Sequence, residues 1–258
     1  MTTAFMDTGS ARSNGAATPG PAPIPGAATP GPAPTPGAAP WSDTPGTAFH
    51  AVAEDPIYGG RLEDLTALKD RLLSEVDAIR AELKAQRGED PVEHCLGRIK
   101  SPDSLREKCE RKAIPQTGEV ALEYIHDIVG IRVVCTFLDD VYVMRDRIAA
   151  LPGVEVVEEK DYIRHVKPNG YRSFHMILRF DKDLYAEVQI RTISQDTWAA
   201  LEHQIKYKHN VIGNIDLITK ELKRCADELA STDLSMQTIR EMICPAPSVP
   251  ATQEKELK

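Results

Sequence analysis

The stretch VGIRVVCTF, residues Val129–Phe137, is the part of the chain that most strongly indicates the central strand of a β-sheet. Five of its nine residues are β-branched, and such side chains pack well on a pleated, buried surface. The segments on either side of this strand decide which kind of sheet surrounds it.

Helical and strand patterns alternate around this central segment. Residues Arg61–Arg87 carry leucine, isoleucine and valine at helical spacing, and a glycine follows as a stop signal. Further helices are predicted from Pro102 with Ser101 as its cap, and at Val141–Leu151, Ser194–His209 and Asp216–Ile243. Further strands are predicted at Val92–Lys100, Val154–Val157, Ser173–Phe180 and Tyr185–Arg191, the last two as a hairpin. Interleaved strands and helices predict an α/β or α+β fold with a mixed β-sheet flanked by helices.

The first 50 residues differ in composition from the rest of the 258-residue chain. They hold 10 of the 19 prolines and 7 of the 16 glycines, and GAATPGPAPIP at Gly15–Pro25 returns almost unchanged at Gly26–Pro36. Such a composition cannot build a packed core. We expect a disordered tail at residues 1–55, one domain at 56–244 and a flexible tail at 245–258. A tether or a proline-rich ligand is the alternative interpretation of the first tail.

The overall composition argues against several classes of protein. The formal net charge of −8 disfavours a general nucleic-acid or membrane-surface binder, and no apolar run is long enough to span a membrane. The N-terminus has no basic segment followed by an apolar run, so we expect no secretory signal. Five widely spaced cysteines without a Cys-x-x-Cys pair are typical of reduced residues in a cytoplasmic protein.

Two clusters of basic residues stand out from this acidic background. Residues 98–112 carry a local charge of +3, and residues 160–179 carry a local charge of +4. The chain has neither a GxxxxGK[ST] loop nor a GxGxxG loop, so a nucleotide would be held mainly by side chains. Lysine and arginine suit polyphosphates, and a solvated charged surface is the alternative interpretation.

The strand Tyr185–Arg191 and the start of the central strand carry the most specific polar residues. Period-two alternation puts Glu187, Gln189 and Arg191 on one face, either as a polar floor for a ligand or as an ordinary solvated face. Asp127 stands where the central strand begins, and a carboxylate there could ligate Mg²⁺. A metal-dependent hydrolase is rejected, because the first 125 residues contain only two histidines.

The segment KPNGYRSFH, residues 167–175, predicts a turn followed by a strand. Pro168, Asn169 and Gly170 are typical turn residues. Tyr171, directly after the turn, offers a flat surface on which a base can stack. A core tyrosine that caps a hairpin is the alternative.

Five motifs occur in the order typical of one known family. They are DIVGIR at Asp127–Arg132, KDYI at Lys160–Ile163, KPNGYRSFH at Lys167–His175, EVQIRT at Glu187–Thr192 and W-x-x-x-E-H-x-x-x-Y-K at Trp198–Lys208. Over about residues 97–209 the chain resembles the RelA/SpoT-type synthetase domain. It closely resembles the small alarmone synthetases, which lack the hydrolase and regulatory domains of the long family members. The resemblance implies a nucleotidyltransferase-like synthetase fold.

The resemblance also implies an activity. ATP would donate its β,γ-diphosphate to the 3′-hydroxyl of GDP or GTP, giving AMP and (p)ppGpp, the alarmone of the stringent response. Asp127 and Glu187 would hold Mg²⁺, and Glu187 would also accept the hydroxyl proton. The nucleotides and their phosphates would be bound by Arg98, Lys100, Lys108, Arg132, Lys160, Lys167, Asn169, Tyr171, His175 and Gln189.

Within this set, the resemblance separates donor-binding from acceptor-binding residues. Arg98 and Arg132 would flank adenine, with two of the lysines, Lys100 and Lys108, near the donor phosphates. Tyr171 would stack on guanine, and the acceptor or its phosphates would be bound by Lys167, Asn169, His175 and Gln189. Some small synthetases have arginine where this chain has Lys160, and lysine cannot make the bidentate phosphate contact of an arginine.

Two alternative functions differ from this one in substrate or in class. A toxic type of synthetase would pyrophosphorylate adenine nucleotides or the 3′ end of tRNA, and the acidic net charge weakens the tRNA version. A catalytically silent guanine-nucleotide sensor would bind without producing AMP. The resemblance further implies a homotetramer, in which the helices Arg61–Arg87 and Asp216–Ile243 pack either between subunits or inside one chain.

Overall fold

The segments of the chain assemble around a five-stranded sheet. The computed structural model describes residues 55–208 and 214–243, so the predicted tails lie outside the described residues, apart from Asp55. The strands are β1 (Val92–Ile99), β2 (Val129–Cys135), β3 (Glu155–Asp161), β4 (Phe174–Phe180) and β5 (Leu184–Thr192). Their order is β1-β2-β5-β4-β3; β2 and β5 are parallel, and the other neighbours are antiparallel. The predicted mixed sheet and hairpin are therefore confirmed.

Six helices belong to the described part of the chain. They are α1 (Leu62–Arg87), α2 (Pro102–Lys112), α3 (Gly118–Tyr124), α4 (Leu138–Ala149), α5 (Ile193–Lys208) and α6 (Ile215–Ile243). Short 3-10 turns occupy Pro56–Tyr58 and Asp181–Asp183. Among the described helices, none combines the length and the apolar character needed to cross a bilayer.

The two long helices bury very different amounts of apolar surface. Helix α1 packs on the sheet and buries one residue every three or four, namely Leu65, Leu68, Leu72, Val76, Ile79 and Leu83. Helix α6 has a single buried residue, Ala226, and exposes Leu217, Leu234, Ile239, Met242 and Ile243. Of the two helices predicted to pack between subunits or inside one chain, α1 therefore packs inside.

Two elements have different bounds from those predicted, and one helix was not predicted. Strand β3 runs to Asp161 rather than ending at Val157, because it is an exposed edge strand whose acidic residues carry no hydrophobic signal. Helix α4 begins at Leu138 rather than Val141, because its first turn is acidic and so lacks apolar periodicity. The seven-residue helix α3 was not predicted; its Gly118 packs so closely on Gly59 that a Cβ would lie 2.3 Å from the Gly59 nitrogen.

Strand β5 has one apolar and one polar face. Its apolar face, at most 1% exposed, is formed by Ala186, Val188 and Ile190. The opposite face carries Glu187, Gln189 and Arg191, as the alternation predicts. Gln189 is 3% exposed and Arg191 is 1% exposed, so this face is not an ordinary solvated one. A buried polar surface on a central strand requires partners, and these partners form the candidate site.

Candidate active site

A polar row crosses four strands on the face of the sheet opposite the apolar core. The strand register places Arg132 beside Gln189, Gln189 beside His175, and His175 beside Lys160. Glu187 lies two residues before Gln189 on the same face. One residue from each of three of the five quoted motifs, and two from a fourth, therefore lie together on this face.

Asp127 lies just before β2 and is held by two lysines from different segments. Lys108 Nζ donates to Oδ2 at 2.6 Å, and Lys100 Nζ lies 3.2 Å from the same oxygen. Lys108 comes from α2, where the predicted cap is confirmed: the Ser101 hydroxyl accepts a backbone N–H of the first turn at 3.3 Å. Lys100 is 4% exposed, and burial lowers its pKa.

The second oxygen of Asp127 fits a metal ligand. Oδ1 is buried and has no hydrogen-bond partner among the described residues, which is costly for a carboxylate unless a ligand binds it. Burial lowers the pKa of Arg98, and the negative charges of Glu187 and Asp127 oppose that shift. The Arg98 guanidinium therefore interacts electrostatically with both carboxylates. The described residues contain no group of three or more His, Cys, Asp or Glu side chains able to hold a metal. Two carboxylates suit Mg²⁺, which combines few carboxylates with substrate phosphates.

Glu187 is bound differently, through both of its oxygens. Oε1 accepts a hydrogen bond from His175 Nδ1 at 3.0 Å, and Oε2 accepts one from Gln189 Nε2 at 2.9 Å. Burial raises the pKa of Glu187, but its interactions with His175, the hydrogen bond from Gln189 and the nearby Lys108 together outweigh burial and lower the pKa to about 2. The carboxylate is therefore ionised at neutral pH.

His175 links Glu187 to Tyr171. An ionised carboxylate only accepts, so the proton of the imidazole lies on Nδ1. Burial lowers the pKa of His175, so the ring is neutral at pH 7 and Nε2 accepts from the Tyr171 hydroxyl at 2.8 Å. Burial raises the pKa of Tyr171, which keeps its phenol protonated.

The turn before β4 is formed as predicted and holds Tyr171 in place. The Gly170 N–H donates to the Lys167 carbonyl at 2.8 Å, and the Tyr171 N–H donates to Asn169 Oδ1 at 3.2 Å. Gly170 has φ +93° and packs on α6, where a Cβ would lie 2.6 Å from that of Ala226. Lys167 Nζ lies 4.7 Å from the centroid of the Tyr171 ring, so a cation sits beside the predicted stacking surface.

The remaining predicted residues flank this centre. Arg98, on β1, pairs with Gly130 of β2 and so lies beside the polar row. Arg132 Nη1 lies 3.1 Å from Asp196 Oδ1. Burial, followed by the nearby Arg191, lowers the pKa of Arg132 to about 10. Lys160 stands apart at the rim: its Nζ lies 2.8 Å from Glu158, and about half of its side chain is exposed.

Several residues of the site were not among the predicted ones. Arg191 was placed on the polar face but given no role, and the structure joins it to Gln189 and Tyr171. Two aromatic rings pack edge-on against Tyr171, those of Tyr162 at 6.1 Å and Trp198 at 6.4 Å between centroids. The others are Asp196, which binds Arg132, and Glu202, which accepts from Asn169. Tyr162, Trp198 and Glu202 stand inside the quoted motifs, whereas no local signal marks Asp196.

Comparisons with known proteins agree with this geometry. The region found in RelA / SpoT proteins matches residues 97–212. The GTP pyrophosphokinase YwaC of Bacillus subtilis is 38% identical over 181 residues, which cover 67% of this chain and 86% of YwaC. A second GTP pyrophosphokinase of that organism, YjbM, is 32% identical over 179 residues, covering 66% of this chain and 82% of YjbM.

Solved structures give the same result. Small alarmone synthetase 1 from Bacillus subtilis, bound to its product pppGpp, superposes with a TM-score of 0.66 at 28% identity, covering 73% of this chain and 99% of the other. Small alarmone synthetase 2 from the same organism superposes with a TM-score of 0.63 at 35% identity, covering 72% and 98%. Each of these alignments covers at least 82% of the relative, so the similarity extends well beyond the five motifs. The chain therefore belongs to the RelA/SpoT family and, within it, to the small alarmone synthetases of the GTP pyrophosphokinase type.

Proposed function

We propose that the chain transfers the β,γ-diphosphate of ATP to the 3′-hydroxyl of GDP or GTP, releasing AMP and (p)ppGpp. One observation carries the proposal. On one face of the sheet, His175 is hydrogen-bonded to both Glu187 and Tyr171, and the lysine-bound Asp127 lies next to this face. Attack on a phosphorus surrounded by negative oxygens needs charge neutralisation and alignment more than covalent help. Buried cations support the first requirement, and a network of hydrogen bonds supports the second.

The donor would bind on the side of β1 and α2. Arg98 and Arg132 would flank adenine, because they lie on the neighbouring strands β1 and β2, two residues apart in the strand register. Lys100 and Lys108 would bind the donor phosphates. Both ammonium groups now contact one oxygen of Asp127, so an entering triphosphate would compete with that carboxylate for them.

The acceptor would bind on the side of the turn before β4. Guanine would stack on Tyr171, with the Lys167 ammonium beside the ring to meet a phosphate. Asn169, His175 and Gln189 would bind the nucleotide through polar groups that the structure already orients. Lys160, at the rim, would contribute a point charge.

The transfer forms one bond and breaks one. The 3′-hydroxyl oxygen bonds to the β-phosphorus of ATP while the bond from that phosphorus to the α,β-bridging oxygen breaks, and AMP leaves. Glu187 accepts the hydroxyl proton; with a pKa of about 2 it is a weak base, so proton transfer accompanies bond formation rather than preceding it. Mg²⁺ held by Asp127 and Glu187 would neutralise charge on the phosphates. Two nucleotides aligned on one sheet would gain roughly 7–11 kcal/mol in the ideal case.

We also propose that the enzyme acts as a homotetramer in the cytoplasm, where ATP and guanine nucleotides are available. The exposed apolar residues of α6 support self-association, because Leu234, Ile239 and Met242 are all exposed in the single chain. Light scattering of the purified chain at micromolar concentration should give four times the monomer mass, and a monomer would contradict this part of the proposal.

Separation of nucleotide products tests the reaction itself. The full chain is mixed with ATP and Mg²⁺, with GDP, GTP or ADP as acceptor, and the products are separated by anion exchange. We expect a guanosine tetraphosphate or pentaphosphate with an equal amount of AMP, and its loss when the metal is chelated. Product with an adenine acceptor but with neither guanine nucleotide would favour the toxic type, and binding without AMP would favour a silent sensor.

A further inference from the structure

Five side chains on the acceptor side close a ring of hydrogen bonds. We name it the acceptor ring; its members are Arg191, Tyr171, His175, Glu187 and Gln189. In that order around the ring, the donor–acceptor distances are 3.0, 2.8, 3.0, 2.9 and 2.6 Å, the last from Gln189 back to Arg191. The ring joins the proposed guanine platform to the proposed proton acceptor along two separate paths.

Arg191 closes the ring by hydrogen-bonding to two of its members. Its Nη2 donates two of the five bonds, one to the Tyr171 hydroxyl and one to Gln189 Oε1. Its Nη1 donates to Asp196 Oδ1 at 3.3 Å, which ties the ring to α5. The residue is 1% exposed, so its side chain is shielded from solvent.

We propose that Arg191 is a positioning residue for the transfer: it orients the Tyr171 platform and, through Gln189 and His175, the Glu187 carboxylate. The inference rests on the proposed function, because it assigns Arg191 a role in that same site. Lysine cannot replace it, since two acceptors and one carboxylate are arranged around a single planar fork. An ammonium group would keep the charge but lose the arrangement.

The donor side gives the proposal its distinguishing feature. Asp127, Lys100 and Lys108 are not members of the ring. Arg132 contacts the same Asp196 oxygen as Arg191, at 3.1 Å, and this contact does not pass through Arg191. Loss of Arg191 should therefore disturb acceptor binding and chemistry while leaving ATP binding intact. A merely structural role would instead lower the active fraction, which reduces the apparent kcat and changes neither KM.

Steady-state kinetics of Arg191→Lys test this, with ATP and GDP varied separately. We expect the KM for GDP to rise roughly 10- to 100-fold, as for loss of a hydrogen bond to a charged group, with a fall in kcat. The KM for ATP should stay within about twofold. Arg240→Lys is the matched control, because Arg240 is a mostly buried arginine whose ion pairs with Glu89 and Asp139 lie outside the site.

A second variant tests the ring as a unit. Tyr171→Phe keeps the aromatic platform but removes the hydroxyl that joins Arg191 to His175. In the double variant with Arg191→Lys, the fold-loss in kcat/KM for GDP should be smaller than the product of the fold-losses of the two single variants. Fully multiplicative losses would overturn the ring as a coupled unit.

The remaining outcomes separate this inference from the proposed function. Unchanged kinetics, or a lower kcat that matches a lower folded fraction by circular dichroism with both KM values unchanged, would overturn the role of Arg191. If the wild-type chain makes no (p)ppGpp, the proposed function fails. Calorimetry of GDP binding to the same variants then still tests the ring, because weaker binding by Arg191→Lys supports it and equal binding overturns it.

Discussion

Asp127 and Glu187 are two carboxylates of one site, both largely shielded from solvent, and they are held by opposite means. Asp127 contacts two ammonium groups through a single oxygen, and its other oxygen has no hydrogen-bond partner in the described part of the chain. Glu187 accepts one hydrogen bond at each oxygen, from a neutral imidazole and from an amide. The first carboxylate is balanced by charge, and the second is fixed by geometry.

This difference matches what each side of the site has to do. The cations around Asp127 are groups that a triphosphate also attracts, so the donor side can exchange one anion for another as ATP enters. The groups that bind Glu187, His175 and Gln189, belong to the closed ring of hydrogen bonds, and neither is a cation that a phosphate would attract away from the carboxylate. The donor side is therefore suited to rearrangement, whereas the acceptor side is preorganised.

The largest effect is expected from Glu187→Gln. The amide keeps the size of the side chain but loses the charge that binds metal and accepts the proton, so kcat should fall roughly 100-fold or more with folding retained. AMP release from ATP and GDP measures it. Glu155→Gln, on an exposed part of β3, is the control and should keep wild-type turnover. Turnover near wild type in Glu187→Gln would remove the proposed role of this carboxylate.

A third carboxyl, that of Asp140, extends the comparison to the effect of pH on stability. Asp140 is 1% exposed beside Arg87 and Arg240, yet burial and the nearby charge of Asp139 raise its pKa from 3.8 to about 6. Between about pH 4 and pH 6 the folded state therefore binds more protons than the unfolded state, and this group lowers stability as pH rises, by at most about 3 kcal/mol. Glu187 behaves oppositely, since its pKa is lowered and its contribution is lost only as pH falls toward 2.

Urea unfolding between pH 4 and pH 7 checks this expectation. Relative to Asp140→Asn, the wild type should lose free energy of unfolding as pH rises through the window. Asp70→Asn is the control and should follow the wild type, because its side chain is mostly exposed and its charge is not among those that shift the pKa of Asp140. A constant difference between wild type and Asp140→Asn at every pH would contradict the raised pKa.

Gly170→Ala tests how far the acceptor side depends on rigid packing. The substitution forces a side chain into left-handed backbone and against Ala226, whereas Gly153→Ala meets only the backbone restriction because no atom lies within 4 Å. Gly170→Ala should therefore lower the free energy of unfolding by roughly 1–3 kcal/mol more than Gly153→Ala. It should also raise the KM for GDP. Equal losses from the two substitutions would contradict the close approach of the turn to α6.

The smallest effect is expected on the donor side, from Lys108→Met. Asp127 keeps Lys100 as a partner, so we expect about a tenfold rise in the KM for ATP and little change in that for GDP. Lys112→Met, one turn further along α2, is the control because its ammonium binds the Tyr124 carbonyl outside the site. A rise in the KM for GDP instead of that for ATP would reverse the assignment of the two sides.

Much of this site could be predicted because its signals are local. The period-two pattern of β5 placed Glu187, Gln189 and Arg191 on one face, and the turn residues placed Tyr171 directly after the turn that precedes β4. The network that uses them could not be predicted, because Arg191 and Tyr171 meet from positions 20 residues apart. Asp196 was missed for the same reason: an acidic residue in the first turn of a helix is ordinary until two arginines are packed against it.

The sequence by itself determined the order of the strands and of the described helices other than α3, the polar face of β5 and the set of charged side chains available to the site. It also determined the family, through motifs whose order is visible without a structure. Only the tertiary structure decided what each carboxylate does, because a pKa depends on burial and on neighbours brought from distant segments. Lys108 reaches Asp127 across 19 residues, and β4 brings His175 beside Glu187; two acidic residues that look alike in the sequence thereby become an ionic contact and a preorganised acceptor.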